Sequence, residues 1–156
     1  AINAVTAKDY EKFNKIVWEA LRFDPINPWV ARLTVKDVEL GGMPIKKGSL
    51  VLLATESAMM DPDAFSNPGE FDFTRYDDHK SSDEQYSSNP MFLHMGAKRH
   101  TCLGFDVAYE FVPATLFKVF EMLPGVRPAS DKGFTMETRN PEFTSPFPES
   151  YILQFD

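Results

Sequence analysis

Cysteine is almost missing from this chain: Cys102 is the only one in 156 residues. A lone thiol excludes an internal disulfide framework. Basic charge is also short, with 16 Lys and Arg against 23 Asp and Glu, a net charge of −7 and a pI near 5.0. Nucleic acid and anionic membrane surfaces select for basic patches, so neither is expected as the main partner. No run of about 18 apolar residues is present and no signal peptide is recognisable, which predicts a soluble, cytoplasmic chain without a membrane span. What remains is ordinary for a globular protein: 43% apolar and 25% charged residues, enough for one domain over 1–156 with a real core. The 14 Phe, 5 Tyr and 2 Trp suit such a core or a large apolar ligand.

The single cysteine has an unusual setting, FLHMGAKRHTCLG, running from Phe92 to Gly104. Gly96 lets the backbone approach a flat partner closely, and Lys98, Arg99 and His100 place positive charge just before Cys102. Gly104 follows where an amphipathic helix begins. Cations and a helix N-terminus favour the thiolate, and a thiolate is a metal ligand. The plainer alternative, a free cysteine acting as a small apolar core residue, stays open from the loop alone.

Taken in order, Thr6 to Phe23 reads as a helix, with Thr6 and Asp9 as its capping pair and Tyr10, Phe13, Val17, Ala20 and Leu21 on one face. Pro25 ends it. Glu19 and Arg22, three apart, are neighbours on that helix, where a solvated ion pair is the ordinary explanation. Strand patterns follow from Trp29 to Leu53, with Gly41-Gly42 and Lys46-Lys47-Gly48 as two hairpin turns. Ala54 to Met60 suggests a short helix. An irregular Pro- and Asp-rich segment then carries Asp61-Pro62, Phe65, Pro68 and Phe71-Asp-Phe-Thr-Arg75. Asp77 to Asn89 is polar and needs no functional reading. After Cys102 a long helix is predicted to Met122, with Val107, Phe111, Leu116, Val119 and Phe120 giving it an apolar surface and Pro113 inside it. Two strands, at Phe134 to Arg139 and Tyr151 to Phe155, flank a Pro-rich turn.

With these pieces in this order, the chain resembles the C-terminal part of a cytochrome P450 superfamily heme-thiolate domain. The family's loop reads Phe-Gly-x-Gly-x-His/Arg-x-Cys-x-Gly. Gly96, His100, Cys102 and Gly104 match it in register, whereas Met95 replaces the aromatic and Lys98 the second glycine. The family's Glu-x-x-Arg helix and downstream Phe-x-x-x-Arg correspond to Glu19, Arg22 and Arg75, and its Asp-Pro-x-x-Phe phrase to Asp61 through Phe65. The resemblance implies an α+β fold, the C-terminal portion of the heme-thiolate monooxygenase fold, with two long helices, small antiparallel sheets and an irregular cysteine loop. It implies heme b as cofactor and Cys102 as iron ligand, in a loop shaped by Gly96 and Gly104. Arg32 and His100 would be propionate partners, Glu19, Arg22 and Arg75 a structural staple, and no catalytic residue is implied on this chain.

The activity implied is that of a monooxygenase, peroxygenase or hydroperoxide isomerase acting on an apolar small molecule. His94 and the Pro146-Phe147-Pro148 wording resemble the linoleate diol synthase type of fatty-acid dioxygenase fusion, which implies a fatty acid or its hydroperoxide as substrate. The family's distal heme machinery has no counterpart here. Three alternatives therefore stay open: a non-catalytic heme-binding or interaction domain, a degraded remnant, and a piece needing an N-terminal portion for activity. A homodimer or an N-terminal partner domain is expected to cover the open heme face.

Overall fold

The computed structural model describes residues 1–77, 93–128 and 153–154. The sequence-predicted loop at 78–89, the strand at 134–139 and the Pro-rich turn at 143–148 lie outside the described residues.

Instead of one helix from Thr6, two form: α1, Ile2–Thr6, and α2, Tyr10–Phe23. The break is at Lys8, whose φ of 55° is left-handed. Asp9 caps α2, its carboxylate accepting from the Lys12 amide at 3.0 Å, while the Thr6 hydroxyl donates back to the Ile2 carbonyl at 3.1 Å. An Asp oxygen placed to receive an orphan amide starts the helix there.

α2 lies between two apolar clusters. On one side Phe13 and Val17 join Ala4 and Val5 of α1 and pack against Phe117 and Phe120 of α4, the helix Phe105–Met122. Phe13 meets Phe117 and Phe120 edge-on, with ring centroids 5.3 and 5.9 Å apart. Burying Phe13 contributes about 1.5–3 kcal/mol. On the other side Trp18 joins Met59, Phe65, Tyr76 and Phe105. Met59 comes from α3, Thr55–Met59, Phe65 from the irregular segment after it, and Tyr76 from the 3-10 turn Phe73–Tyr76. Ala20, predicted on the buried face, is exposed because it falls outside both contact stripes.

The strands are β1, Val30–Leu33; β2, Val38–Leu40; β3, Met43–Ile45; and β4, Leu50–Leu53. They nest: β1 pairs antiparallel with β4 and β2 with β3. Gly41 and Gly42, at φ 57° and 79°, make the expected hairpin turn. The Lys46-Lys47-Gly48 corner does not join a hairpin. It returns the chain to β1, where the Thr34 hydroxyl donates to the Lys46 carbonyl at 2.6 Å and accepts from the Ser49 amide at 2.9 Å. A final antiparallel pair joins β5, Arg127–Pro128, to β6, Leu153–Gln154.

Candidate functional site

The strongest local feature is a buried charge cluster centred on Glu19. Arg22 grips both oxygens of this carboxylate, Nε to Oε2 at 2.9 Å and Nη2 to Oε1 at 2.8 Å. Both side chains are 0% exposed. Arg75 approaches from the 3-10 turn, its Nε 3.1 Å from each oxygen. The Tyr76 hydroxyl and the Asp72 amide each donate to Glu19 at 3.0 Å. The guanidinium donors left over are used on the backbone: Arg22 donates to the carbonyls of Met59 at 2.8 Å and Pro68 at 2.9 Å, and Arg75 to that of Ser66 at 3.1 Å. Such forks bind a carboxylate bidentately and satisfy several acceptors at once. Glu19, Arg22 and Arg75 are thus in one group, as the motif order suggests. Tyr76 and the carbonyl acceptors were not anticipated. The signal available was a phenol directly following Arg75.

The second feature is the loop from Leu93 to Gly104. Gly96 adopts φ 79°, and a Cβ there would collide with the His100 carbonyl, so the close packing of the loop on itself requires glycine. The Cys102 amide donates to the Met95 carbonyl at 2.8 Å, and the Cys102 carbonyl accepts from the Phe105 amide at 3.1 Å. Between them Lys98–His100 forms a 3-10 turn closed by the Thr101 amide and hydroxyl, which donate to the Lys98 carbonyl at 3.0 and 2.8 Å. Gly104 caps α4, and a Cβ on it would lie 3.9 Å from the Cys102 sulfur. The Cys102 thiol is exposed, as are Arg99, His100 and Leu103.

Arg32 stands on β1, exposed, its Nη1 donating to the neighbouring Ala31 carbonyl at 2.8 Å. Among the described residues no hydrogen bond or ion pair joins Arg32 to the cysteine loop. The donor set fits heme in kind: one soft thiol reaching solvent from a rigid turn, small residues on either side of it, and exposed cations for carboxylates.

Lys98 departs from the family pattern in a way the backbone makes plain. Its φ is 52°, so lysine adopts a left-handed conformation at a position the family pattern gives to glycine. Left-handed backbone costs a non-glycine residue roughly 1–2 kcal/mol. Lys98→Ala keeps that cost, whereas Lys98→Gly removes it and loosens the unfolded chain. The glycine variant is therefore expected to be more stable than the alanine variant by about 1 kcal/mol in urea unfolding. Equal midpoints would mean that the turn imposes no strain.

The cytochrome P450 family model matches residues 8–141, most of the chain. The chain belongs to the cytochrome P450 family. Steroid C26-monooxygenase of Rhodococcus jostii is 33% identical over 107 residues, covering 69% of this chain and 20% of that protein. The biotin biosynthesis cytochrome P450 of Bacillus subtilis is 30% identical over 110 residues, covering 70% and 25%. Among solved structures, cytochrome P450 CYP109Q5 from Chondromyces apiculatus superposes with a TM-score of 0.73 at 25% identity, covering 99% of this chain and 36% of that one. The chain spans about a fifth to just over a quarter of the length of such curated relatives. The fold is accordingly an α+β portion of a P450, and the family's cofactor is heme. No helix among the described residues is long and apolar enough to cross a membrane.

Proposed function

We propose that this chain is the proximal, thiolate-bearing part of a heme oxidoreductase, with Cys102 as the iron ligand. The observation that supports this best is the presentation of the lone cysteine. Its sulfur is exposed at the end of a turn that only Gly96 permits, and its backbone is tied on both sides to residues of the core. A structural cysteine would be expected inside. Gly96 and Gly104 keep side chains away from the turn, and the exposed Arg32 and His100 are the partners assigned to the propionates. When bound, heme supplies the oxygen- or peroxide-activating chemistry, and a thiolate ligand favours O–O cleavage. The roles assigned to the chain are to hold that ligand in place, to neutralise the cofactor's carboxylates and to keep the loop from relaxing.

The reaction class is monooxygenation, peroxygenation or hydroperoxide isomerisation of an apolar small molecule. A fatty acid or its hydroperoxide is the narrowest version, and it rests on the resemblance to the linoleate diol synthase type. The outer face of α4 carries Val107 at 70%, Phe111 at 66% and Met122 at 75% exposure, the last two lining a shallow groove of about 530 Å³. Bare apolar surface of this kind invites association. With relatives several times longer, the occupant proposed is the remainder of the P450 fold, with a second copy of this chain as the alternative that size-exclusion chromatography of the heme-loaded chain would reveal.

The deciding experiment is the spectrum of the reduced carbonyl complex. The unmutated chain loaded with heme is expected to give the red-shifted Soret band of thiolate ligation, and Cys102→Ala to lose it while keeping its far-ultraviolet circular dichroism. An unchanged band in the variant would show that another group ligates iron. Turnover of a peroxide or lipid hydroperoxide by the loaded chain separates an enzyme from a domain that only binds heme.

A further inference from the structure

We propose that Tyr76 is a positioning residue for Cys102, transmitting the rigidity of the buried Glu19 cluster to the cysteine loop. The proposal rests on the reading of Cys102 as iron ligand. Tyr76 belongs to two structures at once. Its hydroxyl donates to Glu19 Oε2 at 3.0 Å within the buried charge cluster, and its ring lies in the apolar core with Trp18, Met59, Phe65 and Phe105. Met95 packs against that same core.

Met95 and Phe105 are the two residues that hold the cysteine. The carbonyl of the first accepts from the Cys102 amide at 2.8 Å, and the amide of the second donates to the Cys102 carbonyl at 3.1 Å. Both backbone groups of Cys102 are thus fixed by residues whose side chains rest on the core that holds the Tyr76 ring. If the ring rotates or shifts, the seats of Met95 and Phe105 shift with it, because a packed interior does not deform continuously. The phenol is well suited to this. Burial first, and the adjacent Glu19 carboxylate second, hold its ionisation well above the ordinary tyrosine range, so the hydroxyl stays a donor and the ring stays anchored. A metal ligand must be held within a fraction of an ångström, and groups that orient it from behind are worth about 10–100-fold in metal affinity.

The test is Tyr76→Phe in the full chain, which keeps the ring and removes the anchor. Val17→Ala is the control: its side chain belongs to the other core, with Ala4, Val5 and Phe13, and is not among those that hold Tyr76. At matched distance below their melting temperatures, Tyr76→Phe is expected to bind heme about tenfold more weakly than the control. It should also convert part of the reduced carbonyl band from the thiolate position to a blue-shifted one. In the heme-free chain, hydrogen exchange at the Cys102 and Phe105 amides should speed up relative to α2 amides in Tyr76→Phe and not in Val17→Ala.

Equal behaviour of the two variants in all three measurements would overturn the proposal. Should Tyr76→Phe fail to fold, native-state exchange of the unmutated chain in mild denaturant decides the matter. Opening of the Asp77, Cys102 and Phe105 amides as one unit supports the coupling, and a loop that opens alone overturns it. If the unmutated chain takes up no heme, the heme reading fails, and the exchange measurements still decide whether Tyr76 sets the loop.

Discussion

Arg22→Ala is expected to remove roughly 3–5 kcal/mol of folding stability, the cost of leaving a buried partner charge uncompensated. That is a large part of the 5–15 kcal/mol a domain of this kind holds. Three facts make the effect large. The side chain is 0% exposed, so water cannot replace it. Its fork occupies both oxygens of Glu19, so its loss strips the carboxylate of its closest cation. It also serves the Met59 and Pro68 carbonyls, which tie α3 and the following irregular segment to α2. Arg75→Ala should cost clearly less, since Arg75 is 11% exposed and Glu19 keeps the Arg22 fork in its absence. The double variant Glu19→Ala with Arg22→Ala should lose less than the two separate losses added together, because it removes both members of the closest pair and leaves only the partly exposed Arg75 without its carboxylate. Urea unfolding of the parent, Arg22→Ala, Arg75→Ala, Glu19→Ala and the double variant measures the order. An Arg22→Ala protein within about 1 kcal/mol of the parent would mean that the cluster carries only the weight of a surface ion pair.

The same cluster shows how far the sequence could be read. Apolar periodicity alone puts Phe13 and Val17 inside and leaves Glu19 and Arg22 in solvent. It fails because α2 is covered on two sides, and the second cover, Met59 from the short α3, Phe65 from the irregular segment and Tyr76 from the 3-10 turn, comes from pieces too short to show a period. The motif order did bring Glu19, Arg22 and Arg75 together. It could not supply Tyr76 or the carbonyls of Met59, Pro68 and Ser66, whose places depend on the path of the turns between α3 and the 3-10 turn. The sheets follow the same division. The Gly41-Gly42 hairpin is local and was legible, whereas the pairing of β1 with β4 depends on Thr34 closing a long loop through Lys46 and Ser49. In the cysteine loop, spacing singled out Gly96, Cys102 and Gly104 as candidates. The left-handed backbone of Lys98, where the family pattern has glycine, is seen only in the structure.

Acid should weaken this fold already between about pH 6.5 and 4, and His94 is the reason. The ring lies against Trp18 with centroids 5.0 Å apart, and Trp18 in turn stacks on Tyr109 at 4.5 Å. Both imidazole nitrogens are buried, and burial pulls the pKa down to about 4 from the ordinary value of 6.5. A neutral ring is therefore what the folded state accommodates, while the unfolded chain takes up a proton below about pH 6.5. Between these two values the unfolded state binds more protons, so stability falls as pH falls, by up to about 1.4 kcal/mol per pH unit and roughly 3 kcal/mol across the window. Above pH 6.5 the contribution is fully present, and below about 4 it is fully lost. Asp37, Asp72 and Glu121 have carboxyls held below their ordinary range by hydrogen bonds from Lys46, Thr74 and Lys118, so their contributions are present above the ordinary carboxylate range and are lost only as pH falls through it and below. Urea unfolding at intervals from pH 7.5 to 4 should show the decline, and His94→Phe, which keeps an aromatic ring against Trp18, should flatten it. A slope unchanged by that substitution would assign the acid sensitivity to other groups. Because His94 lies just before Gly96, the protection factors of the cysteine-loop amides, referred to the intrinsic exchange rate at each pH, should fall over the same pH interval ahead of global unfolding, and His94→Phe should abolish that early loss.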